Sequence, residues 1–89
     1  MFLNILHILT NKVEDLITKY RAMMYSLAFS IARNADLAED IVQEASIRLT
    51  KNATAIDNVN SDQTRNYVYT VVKNEALRIA AKEKNTNYI

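Results

Sequence analysis

An all-α fold, a compact bundle of three main helices, is what the sequence predicts, and three observations predict it. The 89 residues include no glycine and no proline, the two residues that most often interrupt regular structure. Apolar residues recur at helical i, i+3, i+4 spacing in three separate stretches. Between the stretches gather Asn, Asp and Ser, whose side chains bond to their own backbone and favour turns.

The first stripe, Val13, Leu16, Ile17, Tyr20, Met23, Met24, Leu27, Ala28 and Ile31, predicts a long helix from about Asn11 to Arg33. Asn11 with Glu14 three positions on resembles a capping box and marks its start. The apolar segment before it either forms a short separate N-terminal helix or extends the same one. Asn34-Ala35-Asp36 is a turn, and Asp36 followed by Glu39 gives the second start signal. The second helix carries Leu37, Ala38, Ile41, Val42, Ala45 and Leu49 as its core stripe and ends near Asn52. Residues 53–61 lose helical periodicity and form the one long connection. Ser61 or Asp62 caps a last helix, whose stripe of Val68, Val71, Val72, Ala76 and Ile79 continues to about Lys84, with Asn85 to Ile89 as a frayed tail.

A chain of this length holds one domain, spanning 1–89, with a single core of modest stability. It has no cysteine, which excludes a disulfide framework and a thiolate metal site. The opening Phe2-Leu3-Asn4-Ile5-Leu6-His7-Ile8-Leu9 is far shorter than the roughly 20 apolar residues that span a bilayer and lacks the basic start of a signal peptide. A cytoplasmic protein that does not enter membranes is expected, and the glycosylation sequon Asn52-Ala53-Thr54 is then a coincidence. The formal net charge of +1 conceals a division: residues 1–33 carry +2, residues 34–62 carry −4 and residues 63–89 carry +3. An acidic middle beside a basic end suits a protein that meets a basic partner surface with one part and nucleic acid with the other.

The second helix has a second face. Asp40, Gln43, Glu44 and Ile47 fall together opposite the apolar stripe. An isoleucine among acids and an amide suits a docking surface; the competing reading is a solvated acidic face with i, i+4 pairs such as Glu44 with Arg48. The run Ala38-Glu39-Asp40-Ile41-Val42-Gln43-Glu44-Ala45-Ser46-Ile47-Arg48-Leu49 closely resembles the second conserved region of bacterial RNA polymerase sigma factors. Lys51-Asn52, Ile56-Asp57-Asn58-Val59-Asn60-Ser61, Thr64-Arg65-Asn66-Tyr67-Val68 and Lys73-Asn74-Glu75-Ala76-Leu77 follow in the order and spacing of the extracytoplasmic-function type. The resemblance covers roughly Val13 to Lys84. It implies that Asp40, Gln43, Glu44 and Ile47, with Ser46 and Thr50 at the rim, grip the clamp helices of the polymerase beta-prime subunit. Carboxylates would pair with arginines of the partner while Ile47 supplies an apolar contact. Where this chain has Ser46 and Thr50 the family usually has Phe and a bulky residue, so a weaker grip is expected.

The basic end supplies a second constellation. Arg65, Tyr67, Tyr69, Lys73, Asn74 and Arg78 combine cations with aromatic rings, the combination that single-stranded nucleic acid needs. The alternative is that both tyrosines are partly core and the cations only solubilise a helix. The resemblance implies that this region recognises and melts the minus-ten promoter element on the non-template strand. It also implies that the loop from Ile56 through Asp62 holds a flipped base, with Asn58, Asn60 and Ser61 as donors and acceptors. The family usually has Trp in place of Tyr67, Asp in place of Arg78, and a denser basic run than Ile79-Ala80-Ala81-Lys82-Glu83-Lys84. Weak autonomous DNA binding follows, with specificity arising on core polymerase. The second, minus-35-reading domain of such sigma factors is absent from residues 1–89. The chain is thus either a natural short form or a fragment, and an anti-sigma protein is a further candidate partner.

Enzymatic chemistry finds no support: no nucleophile and base pair, phosphate-binding glycine loop or paired catalytic acids can be assembled. Asp36, Glu39, Asp40 and Glu44 lack a histidine or a facing helix of ligands, so neither a metal site nor a cofactor is expected. His7, the sole histidine, is expected to pack or to lie exposed. The competing function is a sigma-derived helical protein-interaction module without productive DNA binding.

Overall fold

The computed structural model describes the backbone of residues 2–87 and the side chains of residues 11–83. It contains α1 (Phe2–Ala32), α2 (Ala35–Lys51), one 3₁₀ turn (Ala53–Ala55) and α3 (Asp62–Asn87). The three-helix bundle is therefore as predicted, and its bounds differ at three places. α1 runs unbroken through Asn11, so the opening segment extends the first helix and the capping box at Asn11 and Glu14 does not form. The cap of α2 is Asn34, whose side chain accepts a bond from the Leu37 backbone N–H, while Asp36 sits inside the first turn. There its carboxylate faces the positive end of the helix dipole. α3 continues to Asn87, three residues past the predicted end, which takes Asn85 to Asn87 out of the predicted tail. Tyr88 and Ile89, the rest of that tail, and the side chain of His7 lie outside the described residues.

Two residues join α1 to α2. Arg33 takes a left-handed conformation (φ 57°), and its N–H donates to the Phe29 carbonyl at 2.8 Å, closing α1. Glycine is the usual residue for that role, and this chain has none to place there.

The core is contiguous. Leu16, Tyr20, Met24 and Ala28 of α1 meet Ala38, Ile41, Val42, Ala45 and Leu49 of α2 and Val68, Val72 and Ala76 of α3, with Ile56 from the connection. Small residues at 28, 38, 45 and 76, each fully buried, let the helices approach closely. Val71 and Ile79, predicted with the core, pack at its edge. Arg48 pairs with Glu75, and Asp40 and Glu44 share a cleft with Arg78 and Lys82, so α2 and α3 run antiparallel. Among the described residues no helix is long and apolar enough to cross a membrane.

Candidate polymerase-docking face and nucleic-acid cleft

Five of the six predicted docking residues stand clear of the bundle on α2. Asp40, Gln43, Glu44, Ile47 and Thr50 are exposed and Ser46 is half-buried. Ile47 leaves 48% of its surface in water, an exposure that Leu77 on α3 matches at 49%. The side chains of Asp40 and Gln43 enter no hydrogen bond or ion pair among the described residues. Ser46 and Thr50 are occupied with each other's turn: Thr50 Oγ1 donates to the Ser46 carbonyl at 2.8 Å. The Thr50 hydroxyl thus serves the helix, and Asp40, Gln43, Glu44 and Ile47 form the exposed centre of this face.

The Glu44 to Arg48 pair considered from sequence is absent. Arg48 instead reaches across to α3 and pairs with Glu75, a carboxylate whose side chain is only 4% exposed. Arg78 pairs with the same carboxylate from one turn further along α3, through Nη2 at 2.8 Å and Nε at 3.2 Å. The hydrogen bond to Glu75, then its charge, hold the Arg78 guanidinium above its ordinary pKa against a smaller effect of burial, and Glu44 adds attraction from α2. Two guanidiniums flank one sunken carboxylate, and the one on Arg48 ties α2 to α3. This changes the place of Arg78, expected among the strand-contacting cations: it is engaged by Glu75 and lies in a cleft with Asp40, Gln43 and Glu44, beside the docking face. Sequence reasoning missed Glu75 as a structural residue. The available signal was spacing: Glu75 stands four positions after Val71, three after Val72 and four before Ile79, on the apolar stripe itself.

A cleft of about 220 Å³ opens at the other end of α2, lined by Asn52, Ala55, Ile56, Asp57, Asn58, Ser61, Gln63, Thr64 and Tyr67. Its floor is apolar, since Ile56 is buried and Tyr67 packs against the core. Its rim is polar and largely bonded to itself. The Asn58 carbonyl accepts from Thr64 Oγ1 at 2.6 Å and from the Ser61 N–H at 3.2 Å. Asn58 Oδ1 accepts from the Asn60 N–H at 2.9 Å. Ser61 Oγ caps α3 by accepting from the Thr64 N–H at 3.1 Å, as predicted, and sits 3.0 Å from the Asn58 carbonyl. Of the predicted loop residues, Asn58 and Ser61 thus line the cleft, whereas Asn60 turns toward α1 and accepts a bond from Lys19. Asn52 and Gln63, carboxamides not singled out from sequence, join the lining.

The remaining residues of the basic constellation divide by helical register. At about 100° per residue, Arg65, Tyr69 and Lys73 form one stripe of α3, and Tyr67, Asn74 and Arg78 another. Arg65, Tyr69, Lys73 and Asn74 are exposed and Tyr67 is half-buried. The first stripe joins two cations to a free aromatic ring, since Tyr69 is 46% exposed. The second begins at the cleft with Tyr67 and ends at the docking face with Arg78. Among the described residues no group of His, Asp and Glu side chains is arranged to hold a metal.

Comparison with known proteins gives one result: the family model described as sigma-70 region 2 matches residues 16–86. Neither the curated proteins nor the solved structures yield a match.

Proposed function

The chain belongs to the sigma-70 region 2 family, a domain of transcription initiation factors that bind RNA polymerase, and from that premise we propose how its surfaces divide the work. The exposed face of α2 grips the clamp helices of the polymerase beta-prime subunit: Asp40 and Glu44 meet basic side chains, Gln43 bonds to the partner, and Ile47 seats in an apolar contact. Ser46 and Thr50 border the grip. The observation that carries this reading is the pairing of an exposed Ile47 with acid and amide side chains that the rest of the bundle leaves unengaged. Buried apolar anchors ringed by charge give an interface both affinity and orientation.

The cleft beneath the loop and the exposed stripe of α3 take the non-template strand of the minus-ten element. A flipped base enters the cleft between Tyr67 and the Asn58 to Ser61 rim, while Arg65 and Lys73 follow phosphates and Tyr69 offers a stacking face. Asn74 borders the same strand. With Arg78 held by Glu75, few cations are left for phosphates, which supports weak DNA binding by the chain alone and specific binding on core polymerase. The spacing of the two blocks favours the extracytoplasmic-function type, acting in the cytoplasm on promoter DNA, with an anti-sigma protein as a further candidate partner.

Binding of the chain to purified bacterial core polymerase tests the proposal, alongside the double variant Asp40→Ala, Gln43→Ala. The parent binds and the variant loses binding. If neither binds while both are folded, the docking reading is wrong and a protein-interaction module without productive DNA contact replaces it.

A further inference from the structure

The loop that borders the cleft is held from outside by α1. Tyr20, 6% exposed, crosses to donate its hydroxyl proton to the Val59 carbonyl at 2.9 Å. Lys19, the preceding residue, donates from Nζ to Asn60 Oδ1, and its ammonium lies 5.6 Å from the centre of the Tyr20 ring. These contacts span 39 and 41 positions of sequence. They join adjacent residues of α1 to adjacent residues of the loop. Val59 and Asn60 stand between Asn58 and Ser61, both of which line the cleft.

The loop's internal bonds, from the Asn60 and Ser61 N–H groups to Asn58, fix the shape of the turn. They do not fix its attitude against the bundle. On the α1 side that attitude is set by the Tyr20 and Lys19 bonds and by the packing of Val59 on the core. We propose that Tyr20 and Lys19 are positioning residues for base capture: they hold the 58–61 turn so that the cleft is formed before a strand arrives, and the ordering cost is met in folding instead of binding. The proposal rests on the reading of the cleft as a base pocket.

Tyr20→Phe keeps the ring in the core and removes only the hydroxyl. Lys19→Met removes the exposed donor, and Lys19→Arg restores one. The probes are labelled single strands of about twelve nucleotides, base-bearing or wholly abasic, compared at low salt. The change in this ratio from parent to variant reads base capture, because phosphate contacts are common to both strands and stacking on Tyr69 is common to parent and variant. Tyr20→Phe lowers the ratio about fivefold and Lys19→Met about threefold, the scale of one lost hydrogen bond each. Lys19→Arg stays near the parent. Amide exchange at residues 58–61 quickens in Tyr20→Phe, and binding to core polymerase is unchanged. Faster exchange with an unaltered ratio would overturn the positioning role and leave the pocket standing, as would unaltered exchange. A parallel loss of polymerase binding would overturn it too, by making both side chains general supports of the fold. Equal affinity of the parent for base-bearing and abasic strands would overturn the pocket itself and the proposal with it.

Discussion

The exposed face of α2 and the cleft at its far end are built from similar side chains, acids, carboxamides and hydroxyls, held in opposite states. On α2 the helix backbone satisfies itself, so Asp40 and Gln43 stand free on a rigid support. At the cleft the backbone is irregular, and the polar side chains of Asn58, Ser61 and Thr64 are spent on holding it. A face on a helix needs no further organisation to meet a partner, whereas a pocket formed by a loop must first organise itself. The same residue types therefore carry different expectations: on α2 each substitution should read out directly in partner binding, and at the cleft each should mix binding with loop order.

Substitutions that separate the two regions test this contrast. The largest effect belongs to Ile47→Asp, which puts a charge where the apolar contact should seat; polymerase binding falls about thirtyfold, the scale of an interface hot spot, with the melting temperature unchanged. A titration of labelled chain with core polymerase reads this, and a similar loss of single-strand binding would break the separation. Tyr67→Leu keeps apolar volume against the core but removes the ring. It weakens single-strand binding about tenfold, as lost stacking does, and leaves polymerase binding intact in the same titration.

Glu75→Gln acts on both regions at once. It removes the charge shared by Arg48 and Arg78, and because both guanidiniums reach water the loss is about 1–2 kcal/mol, read by urea denaturation. The freed Arg78 then raises single-strand affinity while polymerase binding declines, opposite signs that a merely loosened fold would not give. The smallest effect is that of Lys73→Gln, which lowers the slope of log affinity against log salt for single strands by about 0.7 and spares base preference. An unchanged slope would remove Lys73 from the strand path.

Much of this was legible beforehand, for a reason that also sets its limit. Periodicity within one helix named the buried faces of all three, since Leu16, Met24, Ile41, Leu49, Val68 and Val72 all sit at stripe positions. The exposed face of α2 follows from the same arithmetic. Pairings between elements do not: Arg48 with Glu75, and Tyr20 with Val59, depend on the register in which helices pack, and nothing local encodes it. Tyr20 read as an ordinary core residue because its ring is one, while its hydroxyl has a separate partner. The sequence groups Arg78 with the cations and aromatic rings of α3, whereas its pairing with Glu75, three residues away, shows in the structure. At Asn11 a local cap signal is overridden by helix on both sides, and of the two arrangements open for the segment before it, the extension of α1 is the one that forms.

The absence of cysteine from the chain allows the division of labour to be mapped one position at a time. Ile47→Cys and Tyr67→Cys, each carrying the same short photocrosslinker, are to be irradiated in the presence of core polymerase and a single strand. The division predicts that position 47 captures the beta-prime subunit and position 67 captures the strand. Capture of the strand at 47, or of no polymerase subunit there while the labelled chain remains folded, would contradict it.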